Sequence, residues 1–279
     1  MVAGIKWLLE LNPPGRNVEV FADDTFIVSY PKSGNTWIRF LIANLANPER
    51  PASFANINEL VPDPEALSKR QMAAMPRPRI IKSHQYFDPR FPRVIYLVRD
   101  PRDVALSFYH FQRKGRQIAD DYPVKDFVRL YVKGDITNYG SWGENVASWL
   151  ATRHGSPDFL LVRYEDLMED PERESLRIAE FMKINADDKR IAEAVYRSSA
   201  DEMRKLEKTQ AMQWSSTRQT RQDIPFVRAA KAGNWRSELP AESVALIEAA
   251  WAPLMRRLGY ELFLEAPSEE VSAPYWACV

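Results

Sequence analysis

The sequence predicts an α/β domain in which a central parallel sheet is flanked by helices. Short apolar runs of strand length alternate along the chain with segments whose apolar residues recur every three or four positions. This alternation is typical of parallel sheets whose faces are covered by helices. The chain has 279 residues, of which 45% are hydrophobic and 27% charged, so it can bury a full core. A single domain over residues 1–279 is therefore expected.

Each strand is predicted from an apolar run without helical spacing. The first run is rich in β-branched and aromatic residues, and Pro31 ends it. The predicted strands cover about residues 26–29, 79–81, 94–98 and 159–162.

The helices are predicted from apolar residues at three- and four-residue spacing. The first helix is expected to start at Asn35 or Thr36, and Gly259 suits the C-terminal cap of the last. The predicted helices cover residues 37–45, 104–111, 122–133, 141–152, 171–182, 189–198 and 241–258.

Two longer segments lack a clear periodic pattern. The proline-rich segment 48–92 is expected to be mostly loop with short helices. The polar segment 210–235 is expected to be a long surface loop, and loops of this length are often lids or binding loops. We therefore predict that segment 210–235 covers the binding site.

Composition limits the classes of function. The 38 basic and 38 acidic residues cancel, so no overall charge favours nucleic acid as a partner. No apolar run approaches the roughly 18 residues of a membrane span, and the amino terminus lacks the apolar core of a signal peptide. The single cysteine, Cys278, excludes a disulfide framework and a cysteine metal site. A cytoplasmic protein without a membrane span is expected.

The segment between the first strand and the first helix has the composition of a phosphate-binding loop. It reads YPKSGNTW over residues 30–37. A helix start exposes N–H groups that attract anions, Gly34 lets the backbone approach a phosphate closely, and Lys32 adds a positive charge. Side chains that can donate further hydrogen bonds to a phosphate belong to Ser33, Asn35 and Thr36.

The alternative interpretation of this segment is an ordinary polar turn between strand and helix. Such a turn needs Gly or Asn but does not need Lys, Ser and Thr around them.

The segment also differs from the nucleotide-binding pattern GxxxxGK[ST], because Lys32 precedes its only glycine. A strand, a phosphate-binding loop and a helix in this order predict a P-loop-type domain.

A second candidate site follows the second predicted strand. The segment RIIKSH at residues 79–84 delivers Lys82 and His84 to the carboxyl end of that strand, where ligands bind in open α/β sheets. Strand alternation places both side chains on one face. Most lone histidines are structural, and we expect His110 to be packed in the core and His154 to be solvated. The lysine beside His84 favours a role in chemistry instead.

A third candidate site follows the third predicted strand. The segment RDPRDVALS at residues 99–107 places Arg99 at the strand end and Ser107 about two turns into the next helix. An arginine fork suits a terminal phosphate. The alternative is a surface ion pair between Arg99 and Asp100, with Ser107 as an ordinary helix residue.

These segments together resemble the soluble sulfotransferases, which use 3′-phosphoadenosine-5′-phosphosulfate (PAPS) as the sulfuryl donor. YPKSGNTW resembles the family's 5′-phosphosulfate loop, Lys82 and His84 match its Lys-x-His, and Arg99 and Ser107 have the spacing of its 3′-phosphate ligands. The segment FVRAAKAGNW at residues 226–235 is similar to a late family segment, and the order is the same. The resemblance covers residues 24–240.

The resemblance implies further residues that bind the donor. Trp37, Tyr164 and Ser198 are implied at the adenine, and Phe226 and Arg228 in the late segment, where Arg228 matches a 3′-phosphate ligand.

This chain also departs from the family pattern at several positions. Ala200 replaces a frequent aromatic residue, and Ala229 and Ala230 replace a Lys-Gly pair, for which Lys231 could substitute. The family's dimerisation motif is not evident after Trp235, so the oligomeric state stays open.

The implied reaction is in-line transfer of the sulfuryl group to the hydroxyl of a small-molecule acceptor, without a metal. His84 is expected to take the hydroxyl proton, while Lys32, assisted by Lys82, stabilises charge on the leaving oxygen. Two alternatives are a P-loop small-molecule kinase, which needs magnesium ligands, and a non-catalytic nucleotide-binding relative. Phenol, alcohol, sugar, lipid and amine acceptors all stay open.

Overall fold

The computed structural model describes residues 18–214, 217–228 and 230–263. Cys278 and Ala229 lie outside the described residues. The predicted extent of the domain, 1–279, also reaches beyond them and stays a prediction.

Four parallel strands form one sheet. They are β1 (Thr25–Ser29), β2 (Ile80–Ser83), β3 (Arg93–Val98) and β4 (Phe159–Arg163). Their order across the sheet is β2-β1-β3-β4, and every pairing is parallel. The predicted fold class is confirmed, with small differences at the strand ends.

Both faces of the sheet are buried. Along β1, Phe26 and Val28 belong to one apolar cluster, while Ile27 between them belongs to another. In β3, Tyr96 and Leu97 divide in the same way. Because successive side chains of a strand point to opposite faces, the sheet separates two cores, each covered by helices.

All the predicted helices are present. In chain order the helices are α1 (Asn35–Ala46), α2 (Ile57–Leu60), α3 (Lys69–Ala73), α4 (Pro101–Lys114), α5 (Val124–Lys133), α6 (Trp142–Arg153), α7 (Tyr164–Glu169), α8 (Pro171–Met182), α9 (Asp188–Arg197), α10 (Ala200–Gln210), α11 (Trp235–Glu238) and α12 (Ala241–Arg257). Gly259 follows α12 with a φ of 77°, as a C-terminal cap requires. The short helices α2 and α3 lie in the segment expected to be mostly loop.

The sequence pattern did not reveal α7 or α10. Helix α10 buries only Met203, so it has no apolar stripe that a periodic pattern could report. Its start is marked instead by Ser199, whose side chain accepts a hydrogen bond from the backbone N–H of Glu202. Helix α7 is a six-residue continuation of β4.

Within the segment expected to be a surface loop, most of the described residues are exposed or half-buried, while Trp214 is buried and packs against Phe54 and Phe226. One expectation about burial was wrong. His110, expected in the core, is only half-buried, and its Nε2 lies 3.3 Å from a carboxylate oxygen of Glu238. The imidazole can contact the accessible Glu238 carboxylate in this half-buried position, so it is not required to pack in the core. His154 is exposed, as expected.

The strand order places a crevice at the carboxyl ends of β1 and β3. The connection after β1 leads to β2 on one side of the sheet, and the connection after β3 leads to β4 on the other side. The two connections therefore diverge. Ligands bind at such switch points in open α/β sheets. Lys32 follows β1 and Arg99 follows β3 directly, so both border this crevice. Of the described helices, none is long and apolar enough to cross a membrane.

Candidate active site

A cavity of about 670 Å³ opens at the carboxyl ends of the strands. Twelve of the predicted site residues line it: Lys32, Gly34, Asn35, Thr36, Trp37, Lys82, His84, Arg99, Ser107, Tyr164, Phe226 and Arg228. Ser33 and Ser198 are fully buried and do not line it. The fold therefore brings the three candidate sites of the sequence together into one space.

The loop after β1 is shaped by two residues with positive φ. Lys32 has a φ of 69° and Gly34 a φ of 102°. Gly34 is the N-cap of α1 and has no side chain that could accept a hydrogen bond from the first turn of the helix. A helix start of this kind attracts an anion. The loop therefore has the geometry of a phosphate site.

A side chain at position 34 would clash with Tyr164. A Cβ atom built at this position would lie 2.7 Å from Cδ2 of Tyr164, closer than atoms in proteins pack. Tyr164 cannot move easily, because it is buried between Arg99, whose guanidinium carbon lies 4.1 Å from the ring centroid, and Trp37, whose ring centroid lies 5.4 Å away. The loop and the tyrosine thus fit only with glycine.

We expect Gly34→Ala to lower the free energy of unfolding by about 2–4 kcal/mol, since it adds the strain of a positive φ to a steric clash. Gly155→Ala is the matched control, because Gly155 also has a positive φ, 84°, but no atom within 4 Å of its Cβ position. The control should lose only about 1–2 kcal/mol. Urea unfolding of both variants measures the difference, and equal losses would contradict the close contact with Tyr164.

Two hydrogen-bond donors near the loop are buried without a partner among the described residues. They are Oγ of Ser33 and Nε of Arg99. A buried donor without a partner is rare and destabilising, so it points to a ligand. Because both atoms can donate, their chemistry fits an anionic group such as a phosphate.

Lys32 lies between two aromatic rings. Its Nζ is 3.9 Å from the ring centroid of Phe111 and 4.9 Å from that of Phe226. Burial lowers the pKa of the Lys32 ammonium to about 7, and the positive charges of Arg99 and Lys114 act in the same direction. Lys32 is therefore only partly protonated near neutral pH in the ligand-free protein, and a bound anion would favour its charged form.

His84 is held in one tautomer. Its Nδ1 lies 2.7 Å from the carbonyl oxygen of Ser29, which only accepts hydrogen bonds, so Nδ1 carries the proton and donates it. The lone pair is then on Nε2. Burial lowers the pKa of His84 well below its usual value, and the charge of Lys82 adds to this effect. A neutral imidazole with a free lone pair is suited to accept a proton.

Lys82 shares its ammonium between two carboxylates. Its Nζ is 3.1 Å from Asp63 and 3.3 Å from Glu65. Burial, the largest influence on Asp63, opposes ionisation, but the charges of Lys82 and Arg39 together hold the pKa of that carboxyl below its usual value. Both carboxylates offset the charge of Lys82. The contribution of Lys82 to the reaction stays a prediction.

Arg99 connects the loop to the late segment. Its Nη2 donates to the carbonyl oxygen of Lys231 at 3.1 Å. Asp103, one turn along α4, accepts hydrogen bonds from the backbone N–H groups of Gly233 at 2.6 Å and Trp235 at 3.1 Å. The late segment is thereby tied to the helix that also carries Ser107.

The other predicted ligands differ in their surroundings. Arg228 lines the cavity, and its Nη1 lies 3.2 Å from a carboxylate oxygen of Glu238. Ser198 accepts a hydrogen bond from the side-chain amide of Asn44 at 3.0 Å, away from the cavity, whereas the neighbouring Ser199 lines it. Lys231, named as a possible substitute ligand, also lines the cavity.

Several cavity residues carry no motif in the sequence. Asp63 and Glu65 come from an irregular segment, and only their proximity to Lys82 in the folded chain marks them. Phe111 was recognised only as a helix residue. A lysine inside an aromatic environment could have been sought from the aromatic cluster at residues 108–111, but the second ring, Phe226, lies over a hundred positions away.

The parallel sheet, the loop between β1 and the start of α1, the arginine after β3 and the cavity-lining histidine are features of a P-loop-type group-transfer enzyme. A family model described as "Sulfotransferase domain" matches residues 22–259. The chain belongs to this sulfotransferase family, which confirms the resemblance found in the motifs. Its members use PAPS as donor, and nothing favours the kinase alternative.

Individual relatives agree with this assignment. Sulfotransferase 1A1 of Bos taurus is 30% identical over 271 residues, covering 90% of each chain. Sulfotransferase 1E1 of Bos taurus is 30% identical over 250 residues, covering 83% of each chain.

Solved structures share the fold. Retinol dehydratase in complex with androsterone and the inactive cofactor PAP is similar with a TM-score of 0.70 and 21% identity, over 91% of this chain and 85% of that one. Mouse sulfotransferase SULT7A1 complexed with PAP is similar with a TM-score of 0.68 and 23% identity, over 86% and 87% of the two chains.

Proposed function

We propose that the protein transfers the sulfuryl group of PAPS to the hydroxyl of a small molecule with an apolar body, with His84 as general base and Lys32 as the cation at the leaving group. The observation that carries this proposal is the shared cavity, which both His84 and Lys32 line, with Nε2 of His84 left as the atom that can accept a proton. Proton removal and leaving-group stabilisation can therefore act on one reaction.

The donor half of the cavity is positively charged. Lys32, Arg99, Arg228 and Lys231 line it. Oγ of Ser33 in the loop and Nε of Arg99 have no hydrogen-bond partner among the described residues. We assign the loop and the start of α1 to the 5′ end of the donor, Arg99 and Ser107 to its 3′-phosphate, and Trp37 with Tyr164 to its adenine. PAPS supplies the sulfuryl group and a phosphate leaving group when it binds.

The chain's own residues supply the remaining chemistry. His84 accepts the hydroxyl proton at Nε2, while the Ser29 carbonyl keeps Nδ1 protonated and orients the ring. Lys32 stabilises the negative charge that develops on the oxygen leaving with the phosphate. A preorganised cation in a water-poor site is effective because it needs no reorganisation during the reaction.

Aromatic side chains favour an apolar acceptor. Phe108, Phe111 and Tyr139 line the cavity, and the Tyr139 ring meets that of His84 edge-on with centroids 5.6 Å apart. Solved complexes of retinol dehydratase contain androsterone and retinol, which are apolar molecules with a hydroxyl group. Phenols, sterols and related alcohols are therefore the first acceptors to test.

A screen of such hydroxyl compounds with PAPS, read by mass spectrometry, tests the proposed function. We expect a product heavier by one sulfuryl group with PAPS, none with ATP, and no loss of rate on addition of EDTA. Binding of PAP without transfer to any acceptor would instead support a non-catalytic nucleotide-binding protein.

Fractionation of cells that express the chain would test the predicted cytoplasmic location.

The pH dependence of kcat/KM for the donor should be bell-shaped. His84 must be neutral, so activity is lost on the acid side as pH falls through its lowered pKa, below 6.5. Lys32 must be charged, so activity is lost on the alkaline side as pH rises through about 7. The alkaline limb of kcat should lie at higher pH, because the bound donor's negative charge favours the ammonium.

Lys32→Arg should remove the alkaline limb, since a guanidinium stays protonated at all these pH values. An unchanged alkaline limb in this variant would assign that limb to another group.

A further inference from the structure

The loop 221–228 is held in place by charged side chains from two helices. Within the described residues this loop contains no helix or strand, yet it supplies Phe226 and Arg228 to the cavity. We propose that Lys114, Arg204 and Glu207 are positioning residues that keep this loop in the shape that binds the donor. The proposal rests on the proposed donor site and concerns residues that do not line the cavity.

Lys114 ties the loop to the end of α4. Its side chain is buried, with 2% of the residue exposed, and its Nζ donates to the carbonyl oxygens of Arg221 at 2.6 Å and Ile224 at 2.5 Å. The backbone N–H of Arg221 donates to the Lys114 carbonyl oxygen at 3.0 Å in return.

Lys114 has no carboxylate within ion-pair distance among the described residues. A buried ammonium is strongly unfavourable unless its donors are bonded. The two carbonyl bonds therefore have to form whenever the lysine is buried, and their formation orders the loop.

The helix α10 holds the rest of the loop from the other side. The carboxylate of Glu207 accepts hydrogen bonds from the backbone N–H groups of Phe226 at 2.5 Å and Val227 at 3.0 Å. Arg204 donates to the carbonyl oxygens of Val227 at 3.3 Å and Arg228 at 2.9 Å. These are bonds to the main chain, so they fix its path whatever side chains the loop carries.

The path of the loop determines where its side chains lie. Phe226 reaches within 4.9 Å of the Lys32 ammonium and completes its aromatic surroundings together with Phe111 from α4. Arg228 faces the same cavity two residues later. A loop released from α4 or α10 would carry both side chains away from the donor site.

Loosening the loop should weaken donor binding in proportion to the time the loop spends out of place. The apparent dissociation constant equals the intrinsic one divided by the competent fraction. A loop that keeps its binding shape for only about 1–10% of the time would bind about 10- to 100-fold more weakly.

The variants Lys114→Met and Glu207→Gln test the proposal. Each keeps the approximate size of the side chain. Lys114→Met removes the charge and both hydrogen bonds to the loop, whereas Glu207→Gln removes the charge and replaces one of the two acceptor oxygens with an NH2 group that cannot accept from a backbone N–H. Lys205→Met is the matched control, because Lys205 lies on α10 beside Glu207, is exposed, and among the described residues forms its ion pair with Glu202. PAP binding by calorimetry, donor and acceptor KM, melting temperature and amide hydrogen exchange should be measured for all of them.

We expect both test variants to bind PAP at least tenfold more weakly, to raise the KM for the donor and to leave the KM for the acceptor near its wild-type value. The amide hydrogens of Arg221, Phe226 and Val227 should exchange faster, while the melting temperature and the control variant change little. This combination separates positioning from general destabilisation, which would affect both substrates.

Wild-type affinity for PAP in both Lys114→Met and Glu207→Gln would overturn the proposal and leave the donor site intact. Unchanged exchange of the loop amides would overturn it as well. If the wild-type protein itself failed to bind PAP, the proposed function would fall, and the exchange data would still report whether these side chains order the loop.

Discussion

Replacing His84 by glutamine should lower kcat by about 10²- to 10⁴-fold, the usual loss when a general base is removed. The affinity for PAP should stay unchanged, because His84 lies with Lys82 and Tyr139 rather than with the residues assigned to the donor. Glutamine can still donate to the Ser29 carbonyl, so the local structure has a substitute for the hydrogen bond of Nδ1. Steady-state kinetics with PAP binding as a folding check measures the effect.

His154→Gln is the control for this substitution, since His154 is exposed and outside the cavity. Most of the wild-type rate in His84→Gln, with an acceptor that the native enzyme sulfates, would exclude His84 as the base. The acid limb of the pH profile should also disappear in this variant, which a purely structural role would not produce.

Replacing Lys32 by methionine should lower kcat by about 10²- to 10³-fold, as is typical when one group that stabilises transition-state charge is lost. Donor affinity should fall less, because Arg99 and the start of α1 still bind the phosphates. Methionine fits the space between Phe111 and Phe226, so the loss should reflect charge rather than packing. Single-turnover measurements at saturating donor isolate the chemical step.

Lys183→Met is the matched control for backbone strain. Lys183 also has a positive φ, 58°, is exposed at the end of α8 and does not line the cavity. Equal kcat values for Lys32→Met and the native enzyme would show that the leaving oxygen does not need this lysine.

The sequence predicted the sheet and the position of the loop between β1 and α1 well because their signals are local. An apolar run, a proline and a cluster of Lys, Ser, Gly and Thr are contiguous over residues 26–37, and each of these residues reports on its own surroundings. The same holds for His84, which follows a strand directly. Residues that are contiguous in the sequence stay close together in the folded chain, so a local pattern is enough to predict such a feature.

Contacts between distant segments could not be predicted in this way. The pairing of Lys82 with Asp63 joins a strand to an irregular segment, and Lys114 meets Ile224 across more than a hundred residues. Ser198 is implied at the adenine by the family resemblance, whereas in the structure the end of α9 turns it toward Asn44 and the neighbouring Ser199 lines the cavity. Which of two adjacent serines faces a cavity depends on packing, which no local pattern reports.

The hydrogen bond from His84 to Ser29 attaches the proposed base to the strand that also leads into the loop. Ser29 is the last residue of β1, and Lys32 follows three positions later. The group proposed for the incoming oxygen and the group proposed for the outgoing oxygen are therefore both fixed to the end of β1. Glu65 and Tyr139, which line the cavity near Lys82 and His84, come from separate segments. Grafting those segments from relatives should change which molecule is sulfated while leaving the reaction machinery intact.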